Sequence, residues 1–258
     1  MCGASADIFR GFLSLNAPRL REAGIVVPLV VLDEDLPGRQ PVRQLWRLAK
    51  RQARVAGCSQ VIAATRILVY RALTRQPTSQ VRVLRPVFPR ELSVVRVPTL
   101  NAPAAAQALR AAGCDLVCLM GARILTRRTL EAISVPIVNI HSSDPRVIRG
   151  GPVVVWEVLA GRPEIALTVH EVVAAVDSGA IVAQGAQQVL YRGGLGATTH
   201  ATMQAALPKV GDLFERAIRD FAAGAPHRTA FTPGPLKVTP SVGETLRAQL
   251  LCRQRSGA

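Results

Sequence analysis

Short apolar runs alternate along this chain with longer segments in which apolar residues recur every three or four positions. The first pattern predicts buried strands, and the second predicts helices with one buried face. The predicted strands are 25–32, 94–97, 115–120, 135–138, 165–173 and 181–183. The predicted helices are 8–23, 41–56, 61–73, 101–112, 126–133, 153–160, 198–223 and 241–254. This alternation is typical of an open α/β sheet that helices cover.

Three segments are expected to interrupt the regular elements. Pro208 and Gly211 fall inside the segment 198–223, where both residue types disfavour a continuous helix. Residues 75–92 carry several prolines without sustained periodicity, which predicts a loop. The proline-rich residues 224–240 are expected to form an extended tail.

The segment 134–185 gathers the polar residues that suit catalysis. Asn139 and His141 follow a buried strand, and Asp177 stands where a later strand meets a loop. Asn139 and His141 share one face, because side chains on a strand alternate with a period of two. Strand ends are where open α/β sheets bind ligands. Taken singly, an Asn-x-His pair is more often structural, and an Asp-x-Gly is usually a turn.

Several motifs in a fixed order resemble the folate-dependent formyltransferase family. That family includes the glycinamide ribonucleotide, methionyl-tRNA and sugar N-formyltransferases. The matching motifs are Asn139-Ile140-His141, Arg149-Gly150, Asp177-Ser178-Gly179, Gly121-Ala122-Arg123-Ile124-Leu125 and the Thr168-Val169-His170 strand. The resemblance covers residues 113–190 well and the flanks more loosely.

The resemblance implies a Rossmann-like, open and mostly parallel sheet flanked by helices. The first strand is expected to be truncated, because almost no apolar run precedes Gly3. Residues 1–223 would form the catalytic domain, with a helical insertion at about 41–74, and residues 224–258 would form a short C-terminal extension. The insertion is expected to shape the acceptor site or an oligomer interface.

Formyl transfer needs an amine nucleophile, a polarised carbonyl and stabilisation of an oxyanion. By resemblance, His141 is the general acid that polarises the formyl oxygen, and Asn139 helps to hold the oxyanion. Asp177 would tune His141 and assist deprotonation of the amine. Formyltetrahydrofolate is the expected co-substrate. The residues expected to bind it are Met120, Gly121, Arg123, Ile124, Leu125 and Val176.

The chain is strongly basic, with a net charge of +15 and a sequence pI near 11.2. Five of the 32 Lys and Arg residues lie in the amphipathic segment 41–56, which could bind nucleic acid or a membrane surface. Basic surface helices are more often simply solvated, and no base-reading module is found. We therefore expect no specific nucleic-acid partner and no membrane partner. A homodimer remains open.

No apolar run approaches the roughly 18 residues of a membrane span, and no signal peptide is recognised. A cytoplasmic location is expected. The five cysteines lack paired metal-ligand spacing, so buried free thiols are expected and no metal.

The acceptor is expected to be an amino sugar, a nucleotide-linked amino sugar or an amine of specialised metabolism. Only about 70 residues follow the core, which we expect to be too few for the extra β-barrel domain of methionyl-tRNA formyltransferases. The loop 142–148 also departs from the family's proline-containing pattern, which leaves acceptor recognition open. The alternative is a catalytically weak, formyltransferase-like basic binding protein.

Overall fold

A seven-stranded sheet forms the middle of the fold. The computed structural model of the chain describes residues 1–3, 6–34, 41–74 and 92–257. Within these residues the strands are Cys2–Gly3 (β1), Leu29–Asp33 (β2), Ser93–Val97 (β3), Val117–Met120 (β4), Ile137–His141 (β5), Arg149–Gly150 (β6), Glu164–Glu171 (β7), Ile181–Gln188 (β8) and Leu236–Lys237 (β9). The helices are Ala6–Glu22 (α1), Pro41–Ala56 (α2), Gln60–Thr74 (α3), Pro103–Ala111 (α4), Arg127–Ala132 (α5), Val153–Leu159 (α6), Leu195–Ala222 (α7) and Val242–Ser256 (α8).

The large sheet is parallel over most of its width. Its strand order is β3-β2-β1-β4-β5-β7-β8. The first five of these strands run parallel, whereas β7 and β8 each pair antiparallel with the preceding strand. The two-residue β1 lies between β2 and β4 and pairs with both. This arrangement confirms the predicted Rossmann-like α/β class.

Apolar side chains form a separate core on each face of the sheet. Val30 and Cys118 point to the core that contains Phe12 of α1 and Phe214 of α7. Their neighbours along the strands point to the other core, under α4 and α5. The alternation along each strand explains this division, because a central strand is buried on both faces. The α2–α3 hairpin has its own small core, and α3 packs against α7 and α8.

Strand β2 begins at Leu29 rather than at residue 25, because the preceding residues close α1. Gly24 adopts a left-handed φ of 75°. The N–H groups of Gly24 and Ile25 donate to the carbonyls of Arg21 and Leu20. These two bonds form the usual glycine-containing helix C-cap. Ile25 therefore belongs to the C-cap of α1 and not to the strand. The apolar run alone did not distinguish these two positions.

Helix α7 continues through Pro208 and Gly211, so the predicted interruption is wrong. An added Cβ at Gly211 would lie 1.9 Å from the Oδ1 of Asn16 on α1. Asn16 is buried, and its Nδ2 donates to the backbone carbonyl of Leu207. The glycine therefore allows α1 and α7 to approach closely while the helix continues.

The predicted extended tail lies against the rest of the protein. Strand β9 pairs parallel with β6, and Thr229 forms an isolated bridge to Ile181. Of the predicted loop 75–92, all but Leu92 falls outside the described residues. Among the described helices, none has both the length and the apolar character to cross a membrane.

Candidate active site

Asn139 and His141 share one face of β5, as their spacing predicts. Strand β7 runs antiparallel beside β5, in a register that places His170 opposite Asn139 and Thr168 opposite His141. The Nδ2 of Asn139 lies 3.2 Å from the Nε2 of His170. Strand pairing therefore brings a second histidine to the predicted catalytic pair.

Asp177 enters the same site from the loop that joins β7 to β8. Its main chain adopts a left-handed φ of 46°, and its Oδ2 accepts a hydrogen bond of 2.9 Å from the N–H of Gly150. Oδ2 lies 3.8 Å from the Nε2 of His141, and Oδ1 lies 3.5 Å from the Nε2 of His170. The structure thus places Asn139, His141 and Asp177 together, at the carboxyl end of β5.

The imidazole of His141 is uncharged at neutral pH. Burial lowers its pKa from the ordinary 6.5, and it outweighs the nearby Asp177 carboxylate, which acts to raise the pKa. The backbone of Ile148 beside the ring also acts to raise the pKa of His141. Among the described residues, Nε2 has no hydrogen-bond partner. Nε2 lies 3.8 Å from the Oδ2 of Asp177, where it can exchange a proton beside the carboxylate.

Asp177 remains a carboxylate even though it is largely buried. Burial acts to raise its pKa, but a hydrogen bond from His170, the nearby His141 ring and the N–H of Gly150 lower the pKa below the ordinary 3.8. A carboxylate that faces an uncharged imidazole can stabilise the imidazolium formed when that ring accepts a proton. The site can therefore accept one proton at His141 and hold it.

His170 is a site residue to which the sequence analysis assigned no role. Its Nδ1 lies 2.8 Å from the backbone oxygen of Glu171, while Nε2 faces Asn139 and Asp177. In the sequence, the Thr168-Val169-His170 motif indicated only that this strand resembles the corresponding strand of the family. The position of His170 opposite Asn139 depends on the register between β5 and β7, which no local pattern contains.

A cleft opens beside these side chains, between two stretches of loop. Its lining residues are Leu119, Ala122, Arg123, Ile124, Leu125, Asn139, His170, Val172, Val173, Ala174, Ala175, Val176 and Asp177. The cleft encloses about 80 Å3. Because a single water needs roughly 10–15 Å3 by this measure, about six waters would fit.

Hydrogen bonds to Asp33 and Asn101, which do not line the cleft, hold the loop on one side of it. The Nη2 of Arg123 donates to Oδ1 of the buried Asp33 at 2.9 Å, and Asp33 also accepts from the N–H of Leu100. The Nδ2 of Asn101 donates to the carbonyl of Ile124 at 3.1 Å. These bonds fix the backbone of the loop before any ligand binds, which reduces the entropy lost on binding.

Four of the six residues expected to bind the co-substrate line this cleft: Arg123, Ile124, Leu125 and Val176. Met120 and Gly121 are not among its lining residues. Met120 is buried in the core beneath α1 and α7, and Gly121 makes the turn into the loop with a left-handed φ of 62°. A larger cavity of about 930 Å3 lies at the amino ends of the strands and contains none of the predicted site residues.

Gly150→Ala is expected to lower the free energy of unfolding by roughly 2–4 kcal/mol. Gly150 has a left-handed φ of 80°, and an added Cβ would lie 2.5 Å from the carbonyl oxygen of Lys237. Urea unfolding measures the loss. Gly57→Ala is the control, because Gly57 has a φ of 60° but an added Cβ meets nothing within 4 Å. Equal losses in the two variants would contradict a packing role for Gly150.

Comparison with known proteins identifies the region that contains this site. A protein-family model described as "Formyl transferase" matches residues 50–209. That range includes α3, all strands from β3 to β8 and every candidate catalytic residue. A search of the curated proteins finds no match.

Solved structures share the fold at low sequence identity. Glycinamide ribonucleotide transformylase 1 from Symbiobacterium toebii is 23% identical with a TM-score of 0.54, over 90% of this chain and 92% of that chain. Phosphoribosylglycinamide formyltransferase from Bacillus halodurans is 18% identical with a TM-score of 0.53, over 86% and 95% of the two chains. HypX from Aquifex aeolicus is 18% identical over 57% of this chain, with a TM-score of 0.47. The match spans only 26% of the length of HypX.

Proposed function

The chain belongs to the formyl transferase family, whose model matches more than half of its residues, and on this premise we propose that it transfers a formyl group from formyltetrahydrofolate to the primary amine of a small acceptor. Family membership confirms the resemblance found in the sequence motifs and the predicted class of transferase. Formyltetrahydrofolate is the donor that goes with this class. The expected cytoplasmic location is part of the same proposal.

The convergence of Asn139, His141, His170 and Asp177 beside the cleft carries the proposal. Three of these four side chains line the cleft itself, and His141 lies 3.8 Å from one of them, Asp177. A donor bound in the cleft would place its formyl group next to an amide N–H donor and an imidazole. Those two groups suit the oxygen on which negative charge develops.

The cleft fits the flat ring system of the donor. Its walls are two backbone segments, 122–125 and 172–177, whose peptide groups can pair with the ring edges. The buried side chain of Leu125 and the neighbouring valines supply apolar surface for the ring faces. When bound, the donor supplies the formyl carbonyl. The residues of this chain bind it, orient it and move protons.

A primary amine reaches the site mainly as an ammonium ion and must lose a proton before it can attack. The uncharged Nε2 of His141 accepts that proton, and Asp177 stabilises the resulting imidazolium. The imidazolium then polarises the formyl oxygen while the Nδ2 of Asn139 donates to it. When the C–N bond to the donor breaks, His141 returns its proton to the departing nitrogen. Asp177 assists removal of the second amine proton, which leaves to solvent.

The loop 142–148 supports a polyhydroxylated acceptor such as an amino sugar or a nucleotide-linked amino sugar. Asp144 pairs with Arg146 through bonds of 2.7–3.0 Å, and the Nη2 of Arg146 donates to Gln184 at 2.8 Å. This exposed polar cluster immediately follows His141 in the chain. Its carboxylate, guanidinium and amide groups could exchange their mutual bonds for bonds to sugar hydroxyls. The proposed acceptors also include other small amines of specialised metabolism.

Turnover with formyltetrahydrofolate tests the proposal directly. We expect release of tetrahydrofolate to depend on an amine acceptor, when the purified protein is given a panel of amino sugars, nucleotide-linked amino sugars and simple amines. Mass spectrometry of the acceptor would show the added formyl group. The alternative, a formyltransferase-like basic binding protein, is favoured if the donor binds but no acceptor in the panel is formylated.

The kcat/KM of the proposed reaction is expected to fall on the acid side with an apparent pKa below 6.5. The free enzyme must hold His141 unprotonated, and burial lowers the pKa of His141 from 6.5. Activity therefore persists as the pH falls through 6.5 and is lost at lower pH, while Asp177 stays ionised. A pH profile measured with an acceptor of known amine pKa checks this. An acid limb above 6.5 would contradict the assignment of His141 as the proton acceptor.

A further inference from the structure

The loop that carries Asp177 is attached to the rest of the site through Arg149. The Nη1 of Arg149 donates to the carbonyl of Val176 and to the Oγ of Ser178, each at 3.0 Å. Ser178 Oγ also donates to Val176 at 2.9 Å. The guanidinium therefore holds the residues on both sides of Asp177, and the Oδ2 of Asp177 accepts from the N–H of the next residue of β6, Gly150.

The opposite side of Arg149 is held by residues 234–238, which we call the clamp segment. The Nε of Arg149 donates to the carbonyl of Gly234 at 2.7 Å, and its backbone N–H donates to Pro235 at 3.1 Å. The N–H of Gly234 in turn donates to Pro145. Arg149 thus bridges the clamp segment and the loop of Asp177 with one planar group.

From this geometry we propose that Arg149, held by the clamp segment, is a positioning residue that sets the Asp177 carboxylate against His141. The inference rests on the proposed function. It extends that function to residues 234–238, which lie beyond the 50–209 range of the family match. The forked guanidinium suits this task, because it can bond acceptors on two sides at fixed angles.

Arg149 acts through Asp177 and touches no reacting atom in this account. Among the described residues, the titratable groups that face His141 are Asp177 from the β7–β8 loop and His170 from β7. If the loop shifts, Asp177 moves away from His141 and its raising effect on the pKa of His141 weakens. Loss of the positive charge at Arg149 alone would instead raise the pKa of His141. The two effects have opposite signs, so they can be separated.

Arg149→Lys is the decisive variant, because it keeps the charge and removes the fork. We expect kcat for the most active acceptor to fall roughly 10- to 100-fold, the scale of a misplaced catalytic group. The KM for formyltetrahydrofolate is expected to rise as well, since the loop that Arg149 holds carries Val176, which lines the cleft. NMR titration of His141 should show a lower pKa than in the unsubstituted protein. Arg219→Lys, at an exposed position on α7, is the control.

Gly234→Ala tests the clamp segment without touching Arg149. An added Cβ would lie 2.5 Å from the carbonyl of Arg146, so residues 234–238 must move. We expect the same fall in kcat and the same fall in the pKa of His141, and less than additive effects in the double variant. Gly243→Ala is the control, because its Cβ would meet nothing within 4 Å. Thermal unfolding confirms that each variant is folded at the assay temperature.

The outcomes separate this inference from the proposed function. An unsubstituted protein without acceptor-dependent transfer overturns the proposed function, while the NMR titration still reports on the positioning of Asp177. A folded Arg149→Lys variant with kcat within twofold of the unsubstituted protein, or with an unchanged or higher pKa of His141, overturns the role of Arg149. A fall in stability alone, with kcat and the pKa of His141 unchanged, also overturns it.

Discussion

We expect His141→Ala to lower kcat by about 100-fold or more while the affinity for the donor is retained. The Nε2 of His141 is buried, has no hydrogen-bond partner among the described residues and faces the Asp177 carboxylate. Its removal takes away both the proton acceptor for the ammonium and the later donor to the formyl oxygen. Single-turnover and steady-state release of tetrahydrofolate measure the loss. Isothermal titration with a non-transferable folate measures the affinity.

The donor should still bind because His141 is not among the residues that line the cleft. His227→Ala is the matched control, since that ring is exposed and its Nε2 lies 3.0 Å from Thr229 Oγ1, with no contact to the four site residues. We expect its kcat to be unchanged. A His141→Ala variant that keeps more than a tenth of the kcat would remove His141 from the proton transfers.

Local periodicity was enough to predict the parts of the fold that depend on a single segment. Helix α2 spans residues 41–56 as expected, because its apolar and basic positions separate cleanly at helical spacing. Asn139 and His141 share a face for an equally local reason, since β5 alternates with a period of two. The order of the motifs was then enough to predict the fold class, and the family match confirms the resemblance.

The remaining parts of the site depend on contacts between segments that are distant in sequence. His170 faces Asn139 only because β7 pairs with β5 in one register. Gly150 holds Asp177 only because φ at Gly150 is left-handed and Lys237 lies against it. Gly211 suggested a helix break, whereas it makes room for Asn16. In each case the sequence shows the residue, but the reason that it is needed is a contact with a partner residue that tertiary packing brings near.

Asp177→Asn is expected to lower kcat by roughly 10²–10⁴-fold and to move the acid limb of kcat/KM to lower pH. The amide can still accept the bond from the Gly150 N–H, so the shape of the site is kept while its charge is lost. The Asp177 carboxylate raises the pKa of His141, and its loss lowers that pKa further below 6.5. The unprotonated form of His141 then survives to lower pH, but its imidazolium is no longer stabilised, so the plateau rate falls at every pH.

Asp177→Glu, which keeps the charge on a longer side chain, should retain more activity than Asp177→Asn. If the limb moves to higher pH, or if the plateau rate is unchanged, Asp177 does not stabilise the protonated His141, and the proposed proton path is wrong.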